Sequence, residues 1–351
     1  MPAVSDHERV RAWVHEDFGI ELENLDLVGA GADLAAQTWC GSAPDGEKYA
    51  VKWSGGRTPT GLLLSAHLAR YGVSGVAAPV PTLAEGLWSS RAGRRLSVVP
   101  WVSDVGALDT EMTAAHWGSY GELLSEVHRT PVTDAVAELL PHEDYTHDRW
   151  STAVRGLHRR LNTPDHEAME PPTSDDHLTH SLAGAWHDAA DLIMTLLDHA
   201  DQLGETLRGT PAPRVICHGD AHLGNVLIDQ HAGTWLIDWD DAVIAPAERD
   251  LMFVVGGGVL PFAPVSEHER SWFFDGYGAA EIDPARLAYY QCTRALEDLA
   301  ETAEQTIDAE RYTDDERADA LALFHGVLAP TGLARFALAS LHELGLTSTT
   351  I

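Results

Sequence analysis

The chain is poor in lysine, in cysteine and in long apolar segments. Its 351 residues include 23 basic side chains, of which only two, Lys48 and Lys52, are lysines. The three cysteines, Cys40, Cys217 and Cys292, are far apart and form no CxxC motif, which favours a reducing compartment over a disulfide framework. No run of 18 uncharged apolar residues occurs, and the first twenty residues lack the apolar core of a signal peptide. We therefore expect a cytoplasmic protein with no membrane partner.

Positive charge is also scarce, because 54 acidic side chains give a formal net charge of -31. A chain without a basic stripe cannot displace counterions from phosphates, so we expect no nucleic-acid partner. The negative field would attract a cationic small molecule, although a negative surface also simply keeps a protein soluble. An apolar fraction of 44% is typical of globular proteins and excludes a disordered chain.

Hydrophobic periodicity divides the chain into a strand-rich beginning and a helical remainder. In the first part we predict strands at Leu25–Val28, Ala36–Cys40, Tyr49–Trp53, Thr82–Trp88 and Arg95–Pro100, and helices at Val10–Phe18 and Thr60–Tyr71. In the second part we predict helices at Thr113–His128, Tyr145–Leu161, Leu182–Leu207 and Arg286–Asp308, and strands at Val215–Cys217, Val226–Ile228 and Trp235–Ile237. The pattern predicts an α+β protein with an N-terminal lobe at 1–100, a larger helical lobe at 101–351 and a hinge at about 98–103.

The stretch from 215 to 241 carries the most chemical information. His218 and Asp220 flank a glycine, Asn225 follows five residues after Asp220, and Asp238 ends the next predicted strand. A turn at QHAG would bring Asn225 and Asp238 together on one hairpin. Carboxylate and amide oxygens suit Mg²⁺, so these two residues are the predicted metal ligands, and Asp220 would face a substrate hydroxyl. Each residue alone is also typical of a turn, but the full spacing between apolar strands favours a site.

A zinc site is the alternative use of the same stretch. His218 and His222 are four residues apart, which is a spacing that can place two imidazoles on one ion. No third ligand is evident, so magnesium remains the leading hypothesis.

The motif HGDAHLGN followed by IDWDD resembles the catalytic core of the aminoglycoside phosphotransferase and choline kinase family, which is related to protein kinases. The resemblance continues through IDWDDAVIAPAERDLMFV and implies a protein-kinase-like bilobal fold. It also implies that Asp220 is the catalytic aspartate, that His218 supports its loop and that Asp250 braces this loop. The run ERDLMFVVGGG, with Tyr289-Tyr290 and Glu297-Asp298, is most similar to the spectinomycin phosphotransferase branch.

The resemblance also assigns nucleotide-binding residues in the N-terminal lobe. Lys52 in YAVKW would reach the α- and β-phosphates of ATP, and Gly29 and Gly31 would cover the phosphates. Val99 and Trp101 in the connector would lie beside the adenine.

One departure from the kinase pattern concerns the partner of Lys52. Kinases pair this lysine with a glutamate on the next helix, but no acidic residue occurs between Glu47 and Glu85. Either Lys52 relies on Asp238 and the nucleotide phosphates, or a partner comes from elsewhere in the chain.

We therefore predict transfer of the γ-phosphoryl group of ATP, with Mg²⁺, to a small-molecule hydroxyl. The expected acceptor is a cationic aminocyclitol, aminoglycoside or amino sugar, for which Asp240, Glu297 and Asp298 are the candidate contacts, although a solvated helix surface also explains such charge. The alternatives are a metabolic kinase for a simple amino sugar or choline-like alcohol, and a nucleotide-binding pseudokinase that serves as a regulatory module. The sequence leaves open the choice between ATP and GTP and between monomer and homodimer.

Overall fold

The computed structural model describes residues 6–28, 36–56, 58–161 and 176–347. The predicted phosphate-covering residues Gly29 and Gly31 lie outside the described residues. By packing, the chain forms two compact units, the first made of Met1–Pro141, Val215–Ile244 and Trp272–Gly278, and the second of His142–Arg214, Ala245–Ser271 and Ala279–Ile351. The first unit thus includes the predicted catalytic stretch, and the lobe boundary at 98–103 stays a prediction.

The described residues form short strands and mostly longer helices. The strands are β1 (Asn24–Leu27), β2 (Ala36–Ser42), β3 (Lys48–Ser54), β4 (Ser89–Arg91), β5 (Arg94–Pro100), β6 (Val215–Cys217), β7 (Val226–Ile228), β8 (Thr234–Leu236) and β9 (Val243–Ala245). The helices are α1 (Asp6–Phe18), α2 (Thr60–Arg70), α3 (Ala114–Arg129), α4 (Asp134–Leu139), α5 (Asp148–Leu161), α6 (His177–Arg208), α7 (Glu248–Leu251), α8 (Glu267–Tyr277), α9 (Pro284–Ile307), α10 (Asp314–Leu328) and α11 (Leu333–Glu343).

The first unit is built on an antiparallel five-stranded sheet in the order β1-β2-β3-β5-β4. One face of this sheet packs against α1, where Val10 and Val14 join Trp39, Val51 and Val98 in a buried core. Because side chains alternate along a strand, Lys52 lies on the opposite face from its buried neighbour Val51. The strand therefore holds the lysine on a rigid support, away from the apolar core.

The strand predicted at Thr82–Trp88 is wrong, because this segment closes into a tight loop. The Thr82 N–H donates to the Gly86 carbonyl at 2.7 Å, and Gly86 N–H donates to Thr82 Oγ1 at 2.9 Å. Glu85 has a φ of +64°, a conformation incompatible with an extended strand. The pairing strand begins only at Ser89.

A hairpin of β7 and β8 carries the predicted metal ligands and is held by the rest of the first unit. Val226 pairs with Leu236 in an antiparallel register. The connector after β5 adds to β7, because Ala107 N–H donates to the Val226 carbonyl at 2.8 Å. On the other edge, Leu236 N–H donates to the Gly75 carbonyl at 2.9 Å. These bonds fix the hairpin between two segments that come from far away in the sequence.

The second unit is helical and is organised around α9. Helices α5, α6, α10 and α11 all pack against α9. Trp186 of α6 stacks on Phe324 of α10 with ring centroids 5.8 Å apart, and both side chains are fully buried.

One described segment of this unit, Asp314–Glu343, is long and apolar enough by length and composition to be compared with a membrane span. It consists of two helices, α10 and α11, separated by a turn at Gly332. Buried residues of the segment include Phe324 and Ala337, so packing within the unit accounts for part of its apolar character.

Candidate active site

The catalytic loop follows β6 and depends on Gly219. This glycine has a φ of +83°, and a Cβ at this position would overlap the Asp241 carbonyl oxygen. Only glycine combines the left-handed conformation with so close an approach of two backbones. The loop that carries Asp220 therefore lies directly against the turn that carries Asp241.

His218 ties the loop to the segment before Asp238. Its Nε2 lies 2.9 Å from the Ile237 carbonyl oxygen, and its Nδ1 accepts the Asp220 N–H at 3.2 Å. Since a carbonyl can only accept, Nε2 carries the proton and the ring is a neutral tautomer. Both ring nitrogens are therefore engaged in the loop, which argues against the zinc alternative and agrees with a supporting role.

Asn225 lies against Asp220 as the spacing predicts. Its amide nitrogen donates to the Asp220 backbone carbonyl at 2.8 Å and lies 3.2 Å from Asp220 Oδ2. These bonds use the amide nitrogen, which leaves the side-chain oxygen of Asn225 as the atom that a cation would meet.

Asp238 ends the hairpin in a strained backbone conformation. Its φ and ψ are 63° and 64°, the left-handed region that a non-glycine residue rarely adopts. The side chain keeps contact with solvent, but the surrounding protein raises the pKa of its carboxyl, while Lys52 lowers it and Asp240 raises it further. The ionised form of Asp238 is thus unfavourable in this environment, and a bound divalent cation would stabilise it.

The structure supplies the partner for Lys52 that the sequence lacks locally. Lys52 Nζ lies 3.4 Å from Asp240 Oδ2, in a pair whose side chains are 36% and 19% exposed. Asp240 also lies against the first turn of α2, since a Cβ at Gly61 would be 2.7 Å from its Oδ1. The positive end of the α2 dipole favours a carboxylate there. Asp240 thus occupies the position of a lysine partner, and its predicted contact with the acceptor stays a prediction.

The two connector residues predicted to lie near adenine have other contacts as well. Val99 pairs with Ala50 in the ladder between β3 and β5. The Trp101 backbone N–H donates to the Lys48 carbonyl at 2.9 Å, and its indole N–H donates to Asp104 Oδ1 at 2.8 Å. Their role in nucleotide binding stays a prediction.

The predicted acceptor carboxylates of α9 and the predicted brace Asp250 belong to the second unit. Asp298 accepts a hydrogen bond from Arg294 at 2.8 Å, so part of its charge is neutralised within the helix. Asp250 is completely buried in the short helix α7. The contribution of both to the reaction stays a prediction.

Glu301, one turn after Glu297, has an unusual pKa for an exposed carboxyl group on a helix. The surrounding protein, together with the negative charges of Glu297 and Asp298, raises the pKa of Glu301 to about 7. The three carboxylates therefore concentrate negative charge on α9, and Arg294 offsets part of it.

Tyr120 of α3 supports the catalytic loop, although the sequence pattern did not identify it as a site residue. Its hydroxyl donates to the carbonyl of Ala221, which stands between Asp220 and His222. The tyrosine is fully buried and packs edge-on against Phe273, with centroids 5.2 Å apart. No local signal in the sequence could show which carbonyl the Tyr120 hydroxyl meets.

Comparisons with known proteins identify the family and the fold. The model of the phosphotransferase enzyme family matches residues 63–296. Comparison with curated protein sequences found no match. Among solved structures, spectinomycin phosphotransferase APH(9)-Ia in complex with ADP and spectinomycin is 25% identical, with a TM-score of 0.83, 97% of this chain covered and 99% of that one. The amicoumacin kinase hAmiN, in complex with AMP-PNP and Ca²⁺, is 17% identical with a TM-score of 0.61, covers 97% of each chain, and shares the fold.

Proposed function

Because the chain belongs to the phosphotransferase enzyme family, we propose that it transfers the γ-phosphoryl group of ATP to a hydroxyl of a cationic aminocyclitol, with spectinomycin-like antibiotics as the first candidates. The observation that carries the proposal is the convergence of Asp220, Asn225, Asp238 and Lys52 within one packed unit. Support for the acceptor comes from the 25% identical relative, which was crystallised with ADP and spectinomycin.

In the proposed reaction, Asp220 receives the acceptor. One carboxylate oxygen of Asp220 accepts the hydrogen bond of the hydroxyl, and the hydroxyl oxygen attacks the γ-phosphorus. The bond from the γ-phosphorus to the bridging oxygen breaks, its electron pair leaves with ADP, and the hydroxyl proton passes to Asp220. Because the transition state of phosphoryl transfer is loose, orientation by the carboxylate contributes more than its basicity.

The negative charges of the nucleotide would be offset by Lys52 and by a Mg²⁺ ion that the predicted metal ligands would hold. Asn225 and Asp238 offer the two oxygen ligands that suit Mg²⁺ beside phosphates. When bound there, Mg²⁺ would neutralise charge that develops on the phosphoryl oxygens. Lys52, held by Asp240 at 3.4 Å, would contact the phosphates from β3.

The acceptor is proposed to be cationic because acidic side chains outnumber basic ones both on α9 and in the whole chain. Glu297, Asp298 and Glu301 form the cluster on α9, and the chain carries a net charge of -31. A protonated amine near such carboxylates gains charge-assisted hydrogen bonds and is steered by the field.

A nucleotide-binding module without catalysis is the second candidate, and it was suggested by the missing helix glutamate. Asp240 now supplies a carboxylate for Lys52, which removes the main reason for that alternative. A metabolic kinase for a simple amino sugar or amino alcohol differs only in its acceptor and is separated by the assay below.

The test is Mg²⁺-dependent release of ADP from ATP over a panel of aminocyclitols, aminoglycosides, amino sugars and amino alcohols. We expect one cationic acceptor to stimulate release, and Asp220→Asn to lower kcat by about a thousandfold or more while nucleotide affinity changes little. Tight binding of Mg²⁺–ATP without stimulation by any acceptor would favour the binding module. Near-normal turnover of Asp220→Asn would contradict the assigned role of this carboxylate.

A further inference from the structure

His222 lies two residues after Asp220 and takes no part in the proposed reaction so far. Its Nδ1 accepts the Gly224 N–H at 2.9 Å and so caps the short turn Leu223–Asn225. Its Nε2 lies 3.4 Å from Asp220 Oδ2, and both side chains are 21% exposed. The ring thus connects the backbone of the loop to the carboxylate that would receive the acceptor.

The backbone contact determines which nitrogen of His222 carries a proton. A backbone N–H can only donate, so Nδ1 must be unprotonated in this arrangement. In the neutral ring the proton is then on Nε2, which is the nitrogen that faces Asp220. The nitrogen that carries this proton therefore lies 3.4 Å from Oδ2 of the catalytic carboxylate.

Gly224 is what allows the ring to lie there. A Cβ at position 224 would stand 2.7 Å from Cε1 and 2.8 Å from Nδ1 of His222. Any larger residue would displace the ring from the loop backbone, and with it the N–H that faces Asp220.

Two donors consequently converge on one oxygen of Asp220. The Asn225 amide nitrogen lies 3.2 Å from Oδ2, and His222 Nε2 lies 3.4 Å from the same atom. A carboxylate oxygen that two donors approach is kept in one side-chain rotamer. We propose that His222 is a positioning residue that, with Asn225, holds Oδ2 of Asp220 and so keeps the carboxylate in the orientation that receives the acceptor hydroxyl. This inference rests on the proposed phosphotransferase function.

Two substitutions separate this role from simple capping of the loop. In His222→Asn the shorter side chain can still accept the Gly224 N–H, as in an Asx-turn, but position 222 no longer offers a donor to Asp220. In His222→Gln the longer amide places a donor near the former Nε2 and gives up the cap. We expect His222→Asn to lower kcat about tenfold with both KM values unchanged, and His222→Gln to retain kcat within about threefold.

The matched control is His231→Asn, which changes an exposed histidine in the turn of the same hairpin. We expect this variant to behave as the unchanged protein. If His222→Asn kept its full kcat while His222→Gln lost it, the role would be capping alone and the positioning proposal would be overturned.

A spectroscopic measurement decides the point without turnover. Nitrogen-15 spectra of the histidine side chains, with His222 identified by its loss in His222→Asn, should show the Nε2–H tautomer and a shift of this signal in Asp220→Asn. A proton on Nδ1, or no response to Asp220→Asn, would overturn the inference. If the unchanged protein phosphorylated no acceptor of the panel while these spectra came out as expected, the proposed function would fail and the positioning of Asp220 would stand.

Discussion

At the scale of single residues, the site brings three carboxylates and one lysine close enough to affect one another's charge. Asp238, Asp240 and Asp241 lie within four residues of one another, and the last two disfavour ionisation of the first. Lys52 is the cation that offsets them, since it lowers the pKa of Asp238 and lies 3.4 Å from Asp240. The lysine therefore belongs to the carboxylate cluster even before a nucleotide binds.

Removing the partner of this lysine should impair nucleotide use. Asp240→Asn leaves Lys52 without its carboxylate and takes an anion from the first turn of α2, so kcat/KM for ATP should fall by about tenfold. Asp241→Asn is the control, because it removes a negative charge that acts on Asp238 but keeps the carboxylate of Asp240 that is paired with Lys52. Its effect should be smaller. Steady-state kinetics with varied ATP measure both, and equal effects would contradict the pairing.

At the scale of elements, rigid supports place each part of the site. Lys52 is on a central strand of the sheet, Asn225 and Asp238 flank the two strands of one hairpin, and Tyr120 of α3 anchors the loop through the Ala221 carbonyl. Helix α9 instead concentrates like charges, because Glu297, Asp298 and Glu301 lie on adjacent turns.

Removal of the Glu301 charge should stabilise the folded protein in a pH-dependent way, because burial and then the neighbouring carboxylates raise the pKa of this group. The folded protein raises the pKa of Glu301 from 4.5 to about 7. Between these pH values the unfolded chain has lost a proton that the folded protein keeps, so this group lowers the free energy of unfolding as the pH rises, and does so fully above about pH 7. Glu301→Gln should therefore raise Tm by about 1–3 °C at pH 8 and by less at about pH 5.5.

The control for this measurement is Glu304→Gln, which changes an exposed carboxylate on the same helix. Thermal unfolding followed by circular dichroism at several pH values should give no comparable trend for it. A gain in Tm for Glu301→Gln that does not grow with pH would contradict the raised pKa.

At the scale of the whole molecule, charge would act in opposite directions on the two proposed substrates. A net charge of -31 attracts a cationic acceptor and repels a nucleotide, and salt screens both effects within a Debye length of about 10 Å at 0.1 M.

Raising the ionic strength from about 0.05 to 0.5 M should therefore increase KM for a cationic acceptor several-fold and leave KM for ATP unchanged or lower. Kinetics at fixed pH over a salt series measure both slopes. The control is a neutral acceptor of the same panel, whose KM should not respond. Parallel responses of acceptor and nucleotide would contradict steering by the overall field.

The sequence alone determined the chemistry of the site, because its residues are close together along the chain. Asp220, Asn225 and Asp238 fall on one loop and one hairpin, so their spacing already brings an amide and two carboxylates into one place. The strands around them were also predictable, with β6 and β7 at the predicted residues, because short apolar runs between turn residues have few other conformations.

Only the tertiary structure decided the contacts between distant segments. Lys52 meets Asp240 across 188 residues, and Tyr120 meets Ala221 across 101, and no local pattern encodes either pair. The loop at Thr82–Trp88 differs from the predicted strand for a local reason, since hydrogen bonds between Thr82 and Gly86 and a left-handed Glu85 outweigh the apolar pattern. Periodicity along the chain predicts which face of an element is buried, whereas the packing of the whole unit determines what that face meets.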